Sequence, residues 1–154
     1  ALTGEYRVQR IDVLHDVGNP LAPSIDTGQI EGGFVQGMGW LTCEEIRFDE
    51  QGRLLTHGPS TYKIPAVGDV PLDFNVELLK NAENPQVVGG SKAVGEPPFM
   101  LAISVITALR QAIAAFSESN VSVDLSLPAT PEAVLRAIVH QQASSGKTAF
   151  EDVG

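Results

Sequence analysis

The spacing of apolar residues along the chain predicts three helices. Residues 24–42 carry apolar side chains on one stripe at about 100° per residue, and this stripe consists of Ile30, Phe34, Met38 and Leu41. Residues 98–116 follow two prolines suited to a helix start and are apolar nearly all round in their first half, which predicts a buried helix. Thr130 caps a third helix over residues 131–141.

Alternating apolar and polar positions predict strands over residues 6–15, 44–56 and 73–80. The middle segment reads as a β-hairpin, because Glu50-Gln51-Gly52 places a glycine where a left-handed turn residue is needed. Together with the helices, these segments predict the α+β class, with a small mixed or antiparallel sheet packed by about three helices. We expect residues 1–142 to form one domain part and residues 143–154 a polar, flexible tail.

The first predicted helix has a second, unusual stripe opposite its apolar one. Two glutamines with glycines between them lie on this side, which comprises Gln29, Gly32, Gly33, Gln36 and Trp40. Each glycine inside a helix costs about 1 kcal/mol relative to alanine. This stripe therefore indicates that something bulky approaches the helix backbone closely, although Trp40 itself is predicted to be a core residue.

Charge and composition exclude several classes of function. The net charge of −9 and the lack of clustered lysine and arginine argue against nucleic acid and against an anionic membrane surface as partners. The apolar stretch at residues 99–106 is too short to span a bilayer. One cysteine, Cys43, and three scattered histidines provide no disulfide and no zinc or iron–sulfur ligand set, so no metal-binding residues are predicted. We expect a cytoplasmic protein.

The chain begins at Ala1 without methionine, and its first residues read as a turn whose hairpin partner is missing. We therefore expect a fragment of a longer protein.

Glu96 is the main candidate for a catalytic side chain. It follows a glycine-rich segment at residues 89–95 and directly precedes the helix that starts with Pro97 and Pro98. The alternative is that Glu96 only caps this helix, because caps greatly outnumber catalytic bases. The histidines lack ligand spacing, Ser60 lacks the glycine pattern of a hydrolase nucleophile, and Cys43 is predicted to serve packing.

The string SKAVGEPP at residues 91–98 is similar to the active-site loop of xanthine dehydrogenases. Three further stretches resemble the same family in the same order, and together the four blocks lie within residues 1–140. These stretches run from Asp16-Val17-Gly18 to Gly32, over Phe34-Val35-Gln36-Gly37, and over Gly58 to Pro65. Four ordered blocks are more specific than any one of them.

The resemblance implies roles for individual residues. Glu96 matches a general base that takes a proton from a molybdenum-bound hydroxyl, whose oxygen then attacks an electron-poor ring carbon. Gln29 matches a glutamine that hydrogen-bonds the pterin cofactor. The loop that lies against the cofactor comprises Lys92, Ala93, Val94 and Gly95.

The resemblance also implies a larger assembly. The chain would be the C-terminal part of a molybdopterin-binding domain, with the rest of that domain and with iron–sulfur and FAD domains or subunits as partners. The implied substrate is a purine such as xanthine or hypoxanthine, and the isolated chain is expected to be inactive. The family's other cofactor and substrate contacts would lie upstream of Ala1. The alternatives are a related aldehyde oxidoreductase, a binding module without turnover, or a domain that only docks a partner subunit.

Overall fold

The computed structural model describes residues 2–117 and 121–144, and in them the predicted helices are present. The first helix, α1 (Pro23–Thr42), carries the predicted apolar stripe, and the four residues of that stripe are buried. The elements in chain order are β1 (Arg10–His15), α1 (Pro23–Thr42), β2 (Asp73–Leu78), α2 (Pro97–Leu101), α3 (Ile103–Ala114) and α4 (Pro131–Ser144). Short 3₁₀ turns occupy Val67–Asp69 and Val88–Gly90.

The α+β class is confirmed, but the sheet differs from the predicted one. The described residues form a sheet of two strands, and β1 and β2 pair in parallel rather than antiparallel. The first strand begins at Arg10 instead of residue 6, and from there Ile11 and Val13 alternate into the core. Ile11 and Val13 pair with Phe74 and Val76 of β2. The Phe74 ring packs edge to face against the Phe34 ring of α1, with 5.6 Å between the ring centroids.

Residues 44–56 form the predicted turn but do not contribute a strand to this sheet. A single antiparallel bridge joins Phe48 and Leu54, and Gly52 has the expected positive φ of 76°. Apolar side chains along this segment remain exposed, with Ile46 at 64% and Phe48 at 61%. Backbone hydrogen bonds from Asp49 to Arg53 and from Leu55 to Arg47 flank this bridge, and in the described residues the backbone pairing goes no further, since a short hairpin without a buried face is only marginally stable.

The chain divides into two compact units. The first unit comprises Ala1–Tyr6, Trp40–Lys63 and Ser104–Gly154, and the second unit comprises Arg7–Gly39 and Ile64–Ile103. In the first unit the Tyr6 hydroxyl donates to the Ala129 carbonyl at 2.7 Å, and burial raises the pKa of Tyr6 to about 12. Its core is formed by α3 and α4 residues such as Ile113 and Ile138.

The helix predicted over residues 98–116 is interrupted at Ala102, between α2 and α3. Ala102 is fully buried, and its Cβ would lie 2.9 Å from a Cβ added to Gly37 of α1. The break thus lies where α1 passes very close. By length and composition alone, Pro97–Ala114 would suffice to cross a membrane, a test that core helices of soluble proteins also pass.

The last helix extends further than predicted. α4 continues to Ser144 and buries Gln141 completely, and the Gln141 amide donates to the Val121 carbonyl at 3.2 Å. Because Gln141 is buried and hydrogen-bonded, the core-facing side of α4 continues past Ile138. Of the predicted polar tail, residues 145–154 lie outside the described residues.

Candidate functional site

Glu96 occupies the N-cap position of α2, but its side chain makes no capping hydrogen bond. The reason lies in the residues that follow it. Pro97 and Pro98 have no amide hydrogen, and the Phe99 N–H already donates to the Glu96 carbonyl at 3.0 Å. The start of α2 therefore offers no donor to the carboxylate, and the structure does not support a capping role for Glu96.

The exposed Glu96 side chain lines an open cavity of about 830 Å³ in the second unit. The wall combines apolar side chains from α2 with one amide from α1, and its residues are Gln36, Ala93, Gly95, Glu96, Pro97, Phe99 and Met100. The structure thus brings three predicted site residues, Ala93, Gly95 and Glu96, to one cavity. Sequence reasoning did not anticipate Met100.

The glycines of α1 explain how the Glu96 loop comes to lie against this helix. A Cβ on Gly33 would stand 2.7 Å from the Gly95 carbonyl oxygen, and one on Gly37 would overlap the Phe99 carbonyl oxygen. Gly32 has open space around it. The bulky group predicted to approach α1 is therefore, at Gly33 and Gly37, a segment of the chain itself.

Gln29 lies beside the same loop. Its Oε1 would be 3.4 Å from a Cβ added to Gly95, and its side chain is exposed. Gln36 follows two helical turns later and is also exposed. The two predicted amide groups therefore lie near the Glu96 loop, whereas Trp40, predicted to be core, is 48% exposed in this chain.

Two segments far apart in sequence join upstream of Glu96, and we call them the clasp. The clasp consists of residues 16–19 and 89–92. Gly18 and Ser91 form an antiparallel bridge, the Lys92 N–H donates to the Val17 carbonyl at 2.9 Å, and the Asn19 N–H donates to the Gly90 carbonyl at 2.8 Å. The Asn19 side-chain amide adds a bond to the Gly89 carbonyl at 3.0 Å.

An ion pair joins the same two segments. The Lys92 ammonium donates to Asp16 Oδ2, while Asp16 Oδ1 accepts the Gly18 N–H at 2.9 Å. The hydrogen bond from Lys92, followed by that from Gly18, holds the pKa of Asp16 below its ordinary value. The Lys92 side chain is thus directed to Asp16. From the sequence, Asp16 is known only as the first residue of a block that resembles the xanthine dehydrogenase family, although Asp, Gly and Asn in residues 16–19 are types common in turns.

The remaining candidates lie elsewhere. Cys43, in the first unit, is half-buried, and its thiol donates to the Lys63 carbonyl at 3.9 Å. His15 ends β1. Over residues 2–117 and 121–144, no three histidine, cysteine, aspartate or glutamate side chains are grouped so that they could hold a metal ion.

Comparison with protein families identifies residues 1–71 as similar to the molybdopterin cofactor-binding domain. Among curated proteins, xanthine dehydrogenase of Dictyostelium discoideum is 54% identical over 136 residues, which are 86% of this chain and 10% of that protein. Xanthine dehydrogenase/oxidase of Mus musculus is 47% identical over 146 residues, or 91% of this chain and 11% of that protein. The chain therefore spans about a tenth of the length of these curated relatives.

Solved structures agree with this result. Quinoline 2-oxidoreductase from Pseudomonas putida 86 superposes with a TM-score of 0.76 at 33% identity and covers 88% of this chain and 16% of its own. Aldehyde oxidoreductase from Desulfovibrio desulfuricans gives 0.70 at 24% identity, with 88% and 14% covered, which supports the fold alone. The resemblance noted in the sequence is confirmed.

Proposed function

We propose that this chain, which is similar to xanthine dehydrogenases and spans about a tenth of their length, forms one wall of a molybdopterin site in a purine hydroxylase. The observation that carries this proposal is Glu96: an exposed carboxylate, not engaged in capping α2, that lines the 830 Å³ cavity. The complete enzyme would be an oxidoreductase, with this chain inactive by itself.

The residues around the cavity fit a large polar cofactor. Gln29 and Gln36 present exposed amides, which donate and accept hydrogen bonds, two turns apart on α1. The loop from Lys92 to Gly95 lies next to them, and Ala93 and Gly95 line the cavity without long side chains. We assign Gln29, Lys92, Ala93, Val94 and Gly95 to cofactor binding, with Lys92 contributing its backbone.

The proposed chemistry needs a base at the cavity wall. When bound, the molybdenum cofactor would supply the transferred oxygen and accept the electrons of the substrate. The Glu96 carboxylate would accept the proton that is released as the new carbon–oxygen bond forms. The prolines after Glu96 favour this role, because they leave its oxygens free of competing backbone donors.

The purine substrate is favoured by the relatives. Two curated relatives at 47% and 54% identity are xanthine dehydrogenases, whereas the aldehyde oxidoreductase shares 24%. We further propose that iron–sulfur and FAD domains or subunits carry the electrons away and that the enzyme is cytoplasmic. Comparing turnover of xanthine, hypoxanthine and an aromatic aldehyde by the complete enzyme separates the purine assignment from the aldehyde alternative.

The test of the catalytic assignment is Glu96→Gln in the complete enzyme. Loss of a general base should lower turnover by about 10²- to 10⁴-fold. Molybdenum content and thermal melting should stay at wild-type values, because Glu96 makes no capping bond whose loss would matter. Glu50→Gln, which alters an exposed glutamate in the hairpin turn, is the matched control and should leave turnover unchanged.

Normal turnover of Glu96→Gln with full cofactor would remove the catalytic assignment. It would favour the alternatives of a binding module or an assembly domain on the same scaffold. Loss of molybdenum together with turnover would instead assign Glu96 to cofactor retention.

A further inference from the structure

We propose that Asp16 is a positioning residue for Glu96, acting through Lys92 and the clasp. This inference rests on the proposed role of Glu96 as a base. Asp16 directly follows β1, 76 residues before its partner Lys92, and does not line the cavity. Its effect on the reaction would therefore be indirect.

The first argument is where the loop is anchored. Lys92 donates its backbone N–H to Val17, and downstream the next backbone hydrogen bond is the one from Phe99 to the Glu96 carbonyl. Within residues 2–117 and 121–144, the backbone of Ala93, Val94 and Gly95 makes no backbone–backbone hydrogen bond between these two points. Lys92 is therefore the last hydrogen-bonded anchor before Glu96.

The second argument is that Asp16 makes hydrogen bonds to both segments of the clasp. One of its carboxylate oxygens accepts the Gly18 N–H within its own turn, and the other accepts a hydrogen bond from the Lys92 ammonium on the opposite segment. Gly18 has a φ of +64°, and a Cβ at this position would overlap the Gly90 carbonyl oxygen. The turn that Asp16 stabilises is thus the one that allows the two backbones to approach.

The third argument concerns the size of the effects. Both side chains of the Asp16–Lys92 pair are 38% exposed, and ion pairs at such exposure contribute little to stability. Displacing a reacting group by about 1 Å, in contrast, lowers turnover by as much as about 10²-fold. We therefore expect loss of the pair to affect turnover far more than thermal melting.

The chain offers a matched control. Asp12, within β1, is exposed and ion-paired, to Arg10 at 2.6 Å, and it accepts a hydrogen bond from Asn75 at 2.9 Å. Its partners do not belong to the clasp or to the cavity wall. Asp12→Asn removes a comparable charge pair without touching the Glu96 loop.

The experiment compares Asp16→Asn, Lys92→Met and Lys92→Arg in the complete enzyme. Asparagine retains an oxygen for the Gly18 N–H but loses the charge paired with Lys92. Asp16→Asn and Lys92→Met should each lower kcat by about 10- to 100-fold, with KM within about twofold and unchanged molybdenum content. Lys92→Arg should retain most of the turnover, and Asp12→Asn all of it.

Combination with Glu96→Gln separates positioning from other roles. If Asp16 acts through Glu96, adding Asp16→Asn to Glu96→Gln causes no further loss of the residual turnover. A further loss equal to that of the single variant would overturn the proposal, as would normal kcat in Asp16→Asn or molybdenum loss in Lys92→Met. A large loss in Glu96→Gln beside a normal Asp16→Asn rejects the positioning role alone, and a normal Glu96→Gln rejects the proposed function itself.

Discussion

Asp16 and Asp49 each accept hydrogen bonds from backbone N–H groups of their own turn and from a cationic side chain. They differ in how far along the chain that cationic side chain lies. Asp49 accepts the Arg53 N–H at 2.8 Å, the Gln51 N–H at 2.9 Å and the Arg53 side chain at 2.6 Å. Asp16 accepts one backbone N–H, that of Gly18, and one cation, but this cation, Lys92, lies 76 residues away. The Asp49 turn stabilises only itself, whereas the Asp16 turn holds the segment that leads to Glu96.

The glycines of the two turns show the same contrast. Gly52 and Gly18 both have positive φ, at 76° and 64°. A Cβ on Gly52 would meet nothing within 4 Å, whereas one on Gly18 would overlap the Gly90 backbone. Glycine is therefore needed at residue 52 for its conformation alone, and at residue 18 for conformation and for space.

The largest effect that sharpens this contrast is expected from Gly18→Ala. Left-handed strain of about 1–3 kcal/mol adds to overlap with a backbone atom that cannot rotate away, so we expect a destabilisation of about 2–4 kcal/mol. Hydrogen exchange of the complete enzyme should speed up in both clasp segments, residues 16–19 and 89–92, and molybdenum content should fall. Faster exchange in residues 16–19 alone would show that the clasp is not one cooperative unit.

A smaller effect is expected from Gly52→Ala. The same left-handed conformation costs a residue with a Cβ about 1–2 kcal/mol, with no steric overlap to add. Hydrogen exchange should increase only over residues 44–56, while turnover and molybdenum content stay at wild-type values. A change in turnover would contradict the separation of the two turns.

The smallest effect concerns acid stability. The backbone bond from Arg53, reinforced by its side chain, holds the pKa of Asp49 below its ordinary value. A carboxyl whose pKa is lowered on folding stabilises the folded state above its unfolded pKa of about 3.9, and that contribution is lost as the pH falls through the lower folded value.

Asp49→Asn should therefore reduce the protection of residues 44–56 slightly at pH 7 and flatten its decline below about pH 4. Hydrogen exchange between pH 7 and acid pH measures this protection of residues 44–56. An unchanged slope would mean that the unfolded chain keeps the same Asp49 contacts.

The sequence-based predictions succeeded where one element carries its own signal. The stripe from Ile30 to Leu41 predicted the buried face of α1, and Gly52 predicted the left-handed turn residue. Three predictions were wrong. In the described residues, the segment 44–56 adds no strand to the sheet, the helix over residues 98–116 is interrupted at Ala102 where α1 passes close, and Trp40 is 48% exposed.

The candidate site shows both cases. Glu96, Gln29 and the loop at residues 92–95 came from a resemblance in sequence, and their proposed roles stay predictions. The glycines on α1 correctly indicated a close approach, but the approaching group at Gly33 is the Gly95–Pro98 segment of the same chain. Asp16 and Met100 were not singled out, because neither residue type is informative without its neighbours in space.

The sequence by itself determined the buried face of α1, the left-handed turn at Gly52 and the resemblance to xanthine dehydrogenases, because apolar periodicity, glycine conformation and matching blocks are properties of contiguous residues. Only the tertiary structure decided the parallel pairing of β1 with β2, the approach of α1 to Gly95 and the union of Asp16 with Lys92. Each of these joins segments tens of residues apart, and which segments meet depends on packing of the whole chain rather than on any local pattern.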